Sequence, residues 1–176
     1  MAVLPIIIAP DPRLKKKCKP VAEVDESVAK LMADMLETMY LAPGIGLAAP
    51  QIGVTKRIIV VDASGKDDER NPIKMADPEL LFTSEELWTY EEGCLSLPDH
   101  YAEVERPAKI KVGYLDENNE RQELEAEEIL ATCIQHEMDH LEGLLFVDHI
   151  SALKRNMILR KLVKSKKQNA NDAAAD

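Results

Sequence analysis

Gln135-His136-Glu137-Met138-Asp139-His140 is the stretch on which both fold and chemistry turn. It reads H-E-x-x-H within a helix predicted over 127–141, with acidic residues in the first turn and Gly143 just past the end. Two histidines four apart lie on one helix face, so their ring nitrogens can share one metal ion. Glu137 between them is placed to move protons on a bound water. Cys133 sits three residues before His136 on nearly the same face. A third ligand from elsewhere in the chain would leave one coordination position open, which separates a catalytic metal site from a structural one. The plain alternative is a pair of surface histidines in a charged helix end, alongside Asp139 and Glu142.

Upstream, Asp25 is placed to cap a helix over 26–41, whose stripe of Val28, Leu31, Met32, Met35, Leu36 and Met39 has helical spacing. Pro43 and Gly44 stop it. Residues 1–24 are Pro-rich and read as extended chain and turns. The β-branched run 57–62 reads as a buried strand, and 64–72 as a polar loop. Strand-like pieces come next at 73–76 and 80–88. Residues 109–115 and 121–126 make a hairpin around Asp116-Glu117-Asn118-Asn119. A final helix is predicted over 151–164, and 169–176 as a flexible tail. Helix, strands, then motif helix argue an α+β fold of mostly antiparallel sheets packed around the central motif helix, with an N-terminal and a C-terminal helix. No repeat or linker divides the chain, so 1–168 reads as a single catalytic domain.

The 176 residues suit one core, and the 45% hydrophobic content is ordinary. Aromatics are only 4%, so aliphatic residues and the seven methionines must fill it. A formal net charge of -10 speaks against wrapping DNA. Lys154, Arg155, Arg160, Lys161, Lys164, Lys166 and Lys167 nevertheless gather on the last predicted helix. Their alternative is a solvated face. Cys18, Cys94 and Cys133 form no disulfide framework, which points to a reducing compartment. The start has the wrong charge polarity for a secretory signal, and no run is long and apolar enough for a membrane span.

Two further motifs precede the helix. In Glu91-Glu92-Gly93-Cys94-Leu95-Ser96 a lone cysteine comes after a glycine; taken alone it would be a small buried hydrophobe. Paired with two imidazoles, a soft thiolate suits Zn(II), Fe(II), Ni(II) or Co(II), and is wrong for Mg(II) or Ca(II). The loop Gly44-Ile45-Gly46-Leu47-Ala48-Ala49-Pro50-Gln51 satisfies the letter of a dinucleotide fingerprint. It lacks the strand before and the helix after that such a site needs. Its glycines serve better for close backbone approach to a ligand, with Gln51 offering a side-chain amide.

Together and in this order, the G-x-G-x-A-A-x-Q loop, the E-G-C-x-S strand and the Q-H-E-x-D-H helix resemble the peptide deformylases. The resemblance runs from Pro10-Asp11-Pro12-Arg13-Leu14 to about His149, with a helical extension like that of bacterial members. It implies that Cys94, His136 and His140 bind one divalent metal, Fe(II) in the native enzyme with Zn(II), Ni(II) or Co(II) accepted. It implies removal of the formyl group from N-formyl-methionyl nascent peptides, releasing formate. Metal-bound hydroxide would be the nucleophile and Glu137 the general base and acid, with Gln51 and the Leu95 backbone N–H as oxyanion donors. Ile45, Gly46, Tyr90, Glu92, Leu130 and Cys133 would surround the substrate, whose backbone would add as a strand beside Gly44–Gly46. Where some bacterial members carry an arginine seven residues after the cysteine, this chain has Tyr101, which puts its grip on longer peptides in question. The resemblance also implies a cytoplasmic bacterial monomer that touches the ribosome through its basic last helix.

Two alternatives compete with this function. H-E-x-x-H alone would favour a metallopeptidase, but its usual third ligand lies downstream, where His149 is the only histidine. The other is a catalytically silent metal- or ribosome-binding relative, for which Glu137 would have no purpose.

Overall fold

A computed structural model of the chain describes residues 2–175. Five strands form one antiparallel sheet in the order β1 (Gly46–Ala48), β2 (Ile58–Val61), β3 (Ile73–Thr83), β6 (Lys109–Leu115), β7 (Arg121–Glu127). The other two, β4 (Leu87–Cys94) and β5 (Leu97–Pro107), make a separate hairpin. Helix α1 (Glu26–Leu41) covers one face of the sheet and α2 (Glu128–Leu141) the other.

β2 shows why the sheet sits where it does. All four of its residues are buried. Ile58 and Val60 join Val28, Met32, Met35 and Met39 of α1, while Ile59 and Val61 join Ala131, Ile134 and Leu141 of α2. A strand covered on both sides reads as a continuous β-branched run, as the sequence has it. Asp25 caps α1 by accepting from the Val28 N–H at 2.9 Å. The sulfur-rich stripe of α1 fills its side of the core with three fully buried methionines.

The hairpin is the second wall of the molecule. Leu97 and Val104 pack on Leu145, Phe146 and Val147, and on Leu162 of α3 (Ala152–Ala175). The N-terminal segment is stitched between the two walls, with the Ile7 N–H donating to the Gln51 carbonyl and the Ala9 N–H to that of Ser96.

Three local expectations need correction. Residues 80–88 do not form one strand: β3 runs on to Thr83, the chain turns at Ser84–Glu86, and β4 starts at Leu87. Residues 97–107, not expected as a strand, form β5. The final helix does not end near 164 in a flexible tail at 169–176 but continues to Ala175. Alanines at 170 and 173–175 are the strongest helix formers and favour that extension. Asp176 lies outside the described residues.

Candidate active site and metal centre

Three elements converge on one point. β4 delivers Cys94 at its last residue, beside the tight turn at Leu95 and Ser96. Helix α2 delivers His136 and His140, whose rings stand edge to face with centroids 5.1 Å apart. The donor atoms of Cys94, His136 and His140 all lie within 4.8 Å of one another. The short helical turn Ala49–Ile52 delivers Gln51. Its side-chain oxygen accepts from the Ala48 N–H at 2.9 Å, and its Nε2 donates to Ser96 Oγ at 3.1 Å and toward Cys94 Sγ at 3.5 Å.

This donor set fits a transition metal. Sulfur with two imidazoles is a soft to borderline set, unsuited to hard cations. His136 gives its Nδ1–H to Glu92 Oε1 at 2.8 Å, which leaves Nε2 with a free lone pair turned toward the cluster. His140 Nε2 lies 3.5 Å from Cys94 Sγ, and its buried Nδ1 has no partner among the described residues. Burial and the neighbouring His136 push the His140 pKa down. Burial would lower His136 too, but its hydrogen bonds to Cys94 and Glu92 lift it. Metal binding at these imidazoles competes with protons for the same ring nitrogens.

Glu137 stands beside the cluster. Its Oε1 is 4.0 Å from His136 Nε2, and its Oε2 is buried with no partner among the described residues. Burial, foremost, raises its pKa to about 7, where a carboxyl group both takes and gives protons near neutral pH. Gly46 makes room for it. A Cβ there would stand 2.5 Å from Glu137 Oε1 and 2.9 Å from Cys133 Sγ. The glycine therefore lets β1 pass directly over α2.

A cleft of about 700 Å³ opens over these groups. Ile45, Gly46, Tyr90, Glu92, Leu95 and Cys133 line it, as does Tyr101, which is 63% exposed at the mouth. Leu130 does not; it packs into the core with Ile134 and Leu141, and Ile129 takes the cleft position. At about 100° per residue, a residue seven before His136 shares its face and one six before stands a third of a turn away. That spacing was the available signal. Cys133 donates to the Ile45 carbonyl at 3.3 Å, and burial lifts its thiol pKa well above the ordinary value, so it is a wall rather than a ligand. Glu92 lines the cleft, but its carboxylate is engaged behind it. Burial alone would raise its pKa, yet the bonds from His136 and Arg106 hold it below the usual value.

Residues 3–156 match the polypeptide deformylase family. The chain belongs to that family. It is 56% identical over 175 residues to the peptide deformylase of Methylocella silvestris, a match that spans 98% of this chain and 89% of the relative. The crystal structure of the Ehrlichia chaffeensis peptide deformylase superposes with a TM-score of 0.91 at 38% identity, covering 96% of this chain and 99% of that one. The complex of the Ehrlichia chaffeensis enzyme with actinonin gives 0.89 at 40% identity, covering 94% and 98%. The α+β architecture is the deformylase one. Likeness at this level over nearly the whole chain makes it a peptide deformylase, an enzyme of a metal-dependent family. The metallopeptidase and the silent relative give way to that reading. No helix among the described residues is long and apolar enough to cross a membrane.

Proposed function

We propose that this cleft removes the formyl group from the N-terminal methionine of nascent polypeptides, at one divalent ion held by Cys94, His136 and His140. The observation that carries the reading is the juxtaposition of that donor cluster with the buried, partner-free carboxylate oxygen of Glu137. The donor set accepts Fe(II), Zn(II), Ni(II) or Co(II), and Fe(II) as the native ion is what the family resemblance implies.

The ion, when bound, supplies Lewis acidity toward the formyl oxygen and a water of lowered pKa. The chain's own residues do the rest. Gln51, locked by Ala48 and Ser96, presents its second amide hydrogen beside Cys94, where negative charge grows on the formyl oxygen; the Leu95 N–H in the adjoining turn is the other donor. As water adds to the formyl carbon, Glu137 takes its proton. It then returns a proton to the leaving nitrogen as the carbon–nitrogen bond breaks, giving formate and a free amino terminus. Among the described residues β1 pairs only with β2, so its other edge is open toward the cleft, and a peptide backbone adds there as a strand. Ile45, Ile129 and Cys133 offer an apolar seat to the methionine side chain.

The enzyme acts in the bacterial cytoplasm as a monomer, and its basic α3 contacts the ribosome. Among the described residues, six of the seven cations on that helix carry no ion pair, which suits a polyanionic surface. Loss of ribosome co-sedimentation on deleting 152–175 is the expected result, and unchanged co-sedimentation rejects that contact.

The primary test is formate release from a formyl-methionyl tripeptide by protein purified without air and reloaded with Fe(II) or Ni(II). Release with the peptide bonds intact is the expected result. Fully metallated protein that releases no formate, or that cleaves an unformylated peptide internally, overturns the proposal.

A further inference from the structure

The hydrogen bonds that hold His136 do not stop at Glu92. Arg106 grips that carboxylate with both arms of its fork, Nε to Oε2 at 2.7 Å and Nη2 to Oε1 at 2.9 Å. Its remaining arm, Nη1, reaches Asp139 Oδ2 at 2.8 Å. The same oxygen accepts from His149 Nε2 at 2.7 Å. This chain of side chains leaves α2 at His136, crosses β4 and β5, and returns to α2 one turn later at Asp139. It ties the strand that carries Cys94 to the helix that carries the two histidines.

His149 is the outer end of the chain. Its side chain is 36% exposed, against 6% for Arg106 and 3% for Glu92. It lies on a second cleft of about 330 Å³, shared with Arg106 and Asp139, and does not line the substrate cleft. The fork holds one edge of the guanidinium on Glu92, and the bond to Asp139 anchors its remaining nitrogen to α2. Asp139, at 21% exposure, is itself fixed by His149.

We infer that His149 is a positioning residue for the metal centre, acting through Asp139 and Arg106 on Glu92, and so on the orientation of the His136 ring. The inference rests on the metal reading above. Removing a direct partner of a metal-binding imidazole weakens metal affinity by about 10- to 100-fold, and an effect passed through further bonds is smaller.

The test compares wild type, His149→Leu and His149→Gln loaded with Ni(II) and challenged with excess chelator. Visible spectra of the Co(II) forms and melting temperatures of the metal-free forms are recorded alongside. His149→Leu is expected to release metal about 3- to 10-fold faster and to shift the Co(II) bands. His149→Gln, whose amide keeps an N–H donor, is expected to stay within about twofold of wild type. Equal release by wild type and His149→Leu overturns the inference. So does a loss of metal-free stability with unchanged release, or a glutamine that fails to rescue. If His149→Leu does not fold, Asp139→Asn takes its place with the same expected acceleration. A wild type that retains no Ni(II) strikes the metal reading itself, a different failure from any of these.

Discussion

α2 and α3 both carry many polar side chains, yet nine of the 14 residues of α2 are buried, while only Leu162 is buried among the 24 of α3. In α2 most of the polar groups are desolvated, so each of those must be matched by a partner or have a task. Gln135 donates to the carbonyls of Ala131 and Pro107, Asp139 binds Arg106 and His149, and His136 binds Glu92. Glu137 Oε2 is without a partner among the described residues, and it belongs to the group assigned the proton transfer. In α3 the charges stay in water, where no single one is indispensable. Burial makes a polar residue specific; exposure makes it replaceable.

That contrast can be broken at several points. Glu137→Ala should lower formate release by roughly 10²- to 10⁴-fold with metal content unchanged by elemental analysis; retained activity would deny Glu137 its role. Arg106→Ala leaves the buried Glu92 carboxylate with the His136 N–H alone and the half-buried Asp139 with His149 alone. It should cost about 3–5 kcal/mol, read from denaturant unfolding. Gly46→Ala pushes a methyl into Glu137 and Cys133. It should cost about 1–3 kcal/mol and depress turnover beyond what the stability loss explains. On α3, Arg155→Ala breaks only a partly exposed pair with Asp148, for at most about 1 kcal/mol. Truncation after Lys164 removes, among the described residues, exposed ones alone and should change stability by less than about 0.5 kcal/mol. A truncation effect as large as that of Arg106→Ala would erase the distinction between the two helices.

The same difference governs what the sequence disclosed. α1 and the β6–β7 hairpin were legible because their apolar residues keep a regular period and their turns use Asp, Asn and Pro-Gly. β5 escaped notice because a charged residue occupies a core-facing position: Val104 and Arg106 are both buried, with Glu92 across the hairpin. An ion pair at core positions breaks the hydrophobic alternation by which strands are recognised. His136, His140 and Glu137 could be proposed together from motif spacing, since four residues along a helix fix a geometry, whereas Cys94, on another element, came in only with the family resemblance. Arg106 and the bonding role of His149 could not. They meet α2 across long stretches of chain, and no local spacing records that meeting.

β1 has a consequence of its own. An open sheet edge invites pairing with any extended chain, and proteins commonly limit that hazard by keeping such edges short. This one is three residues long. Under the strand addition proposed above, the same brevity limits the grip of this edge to the few peptide groups that lie next to the cleft.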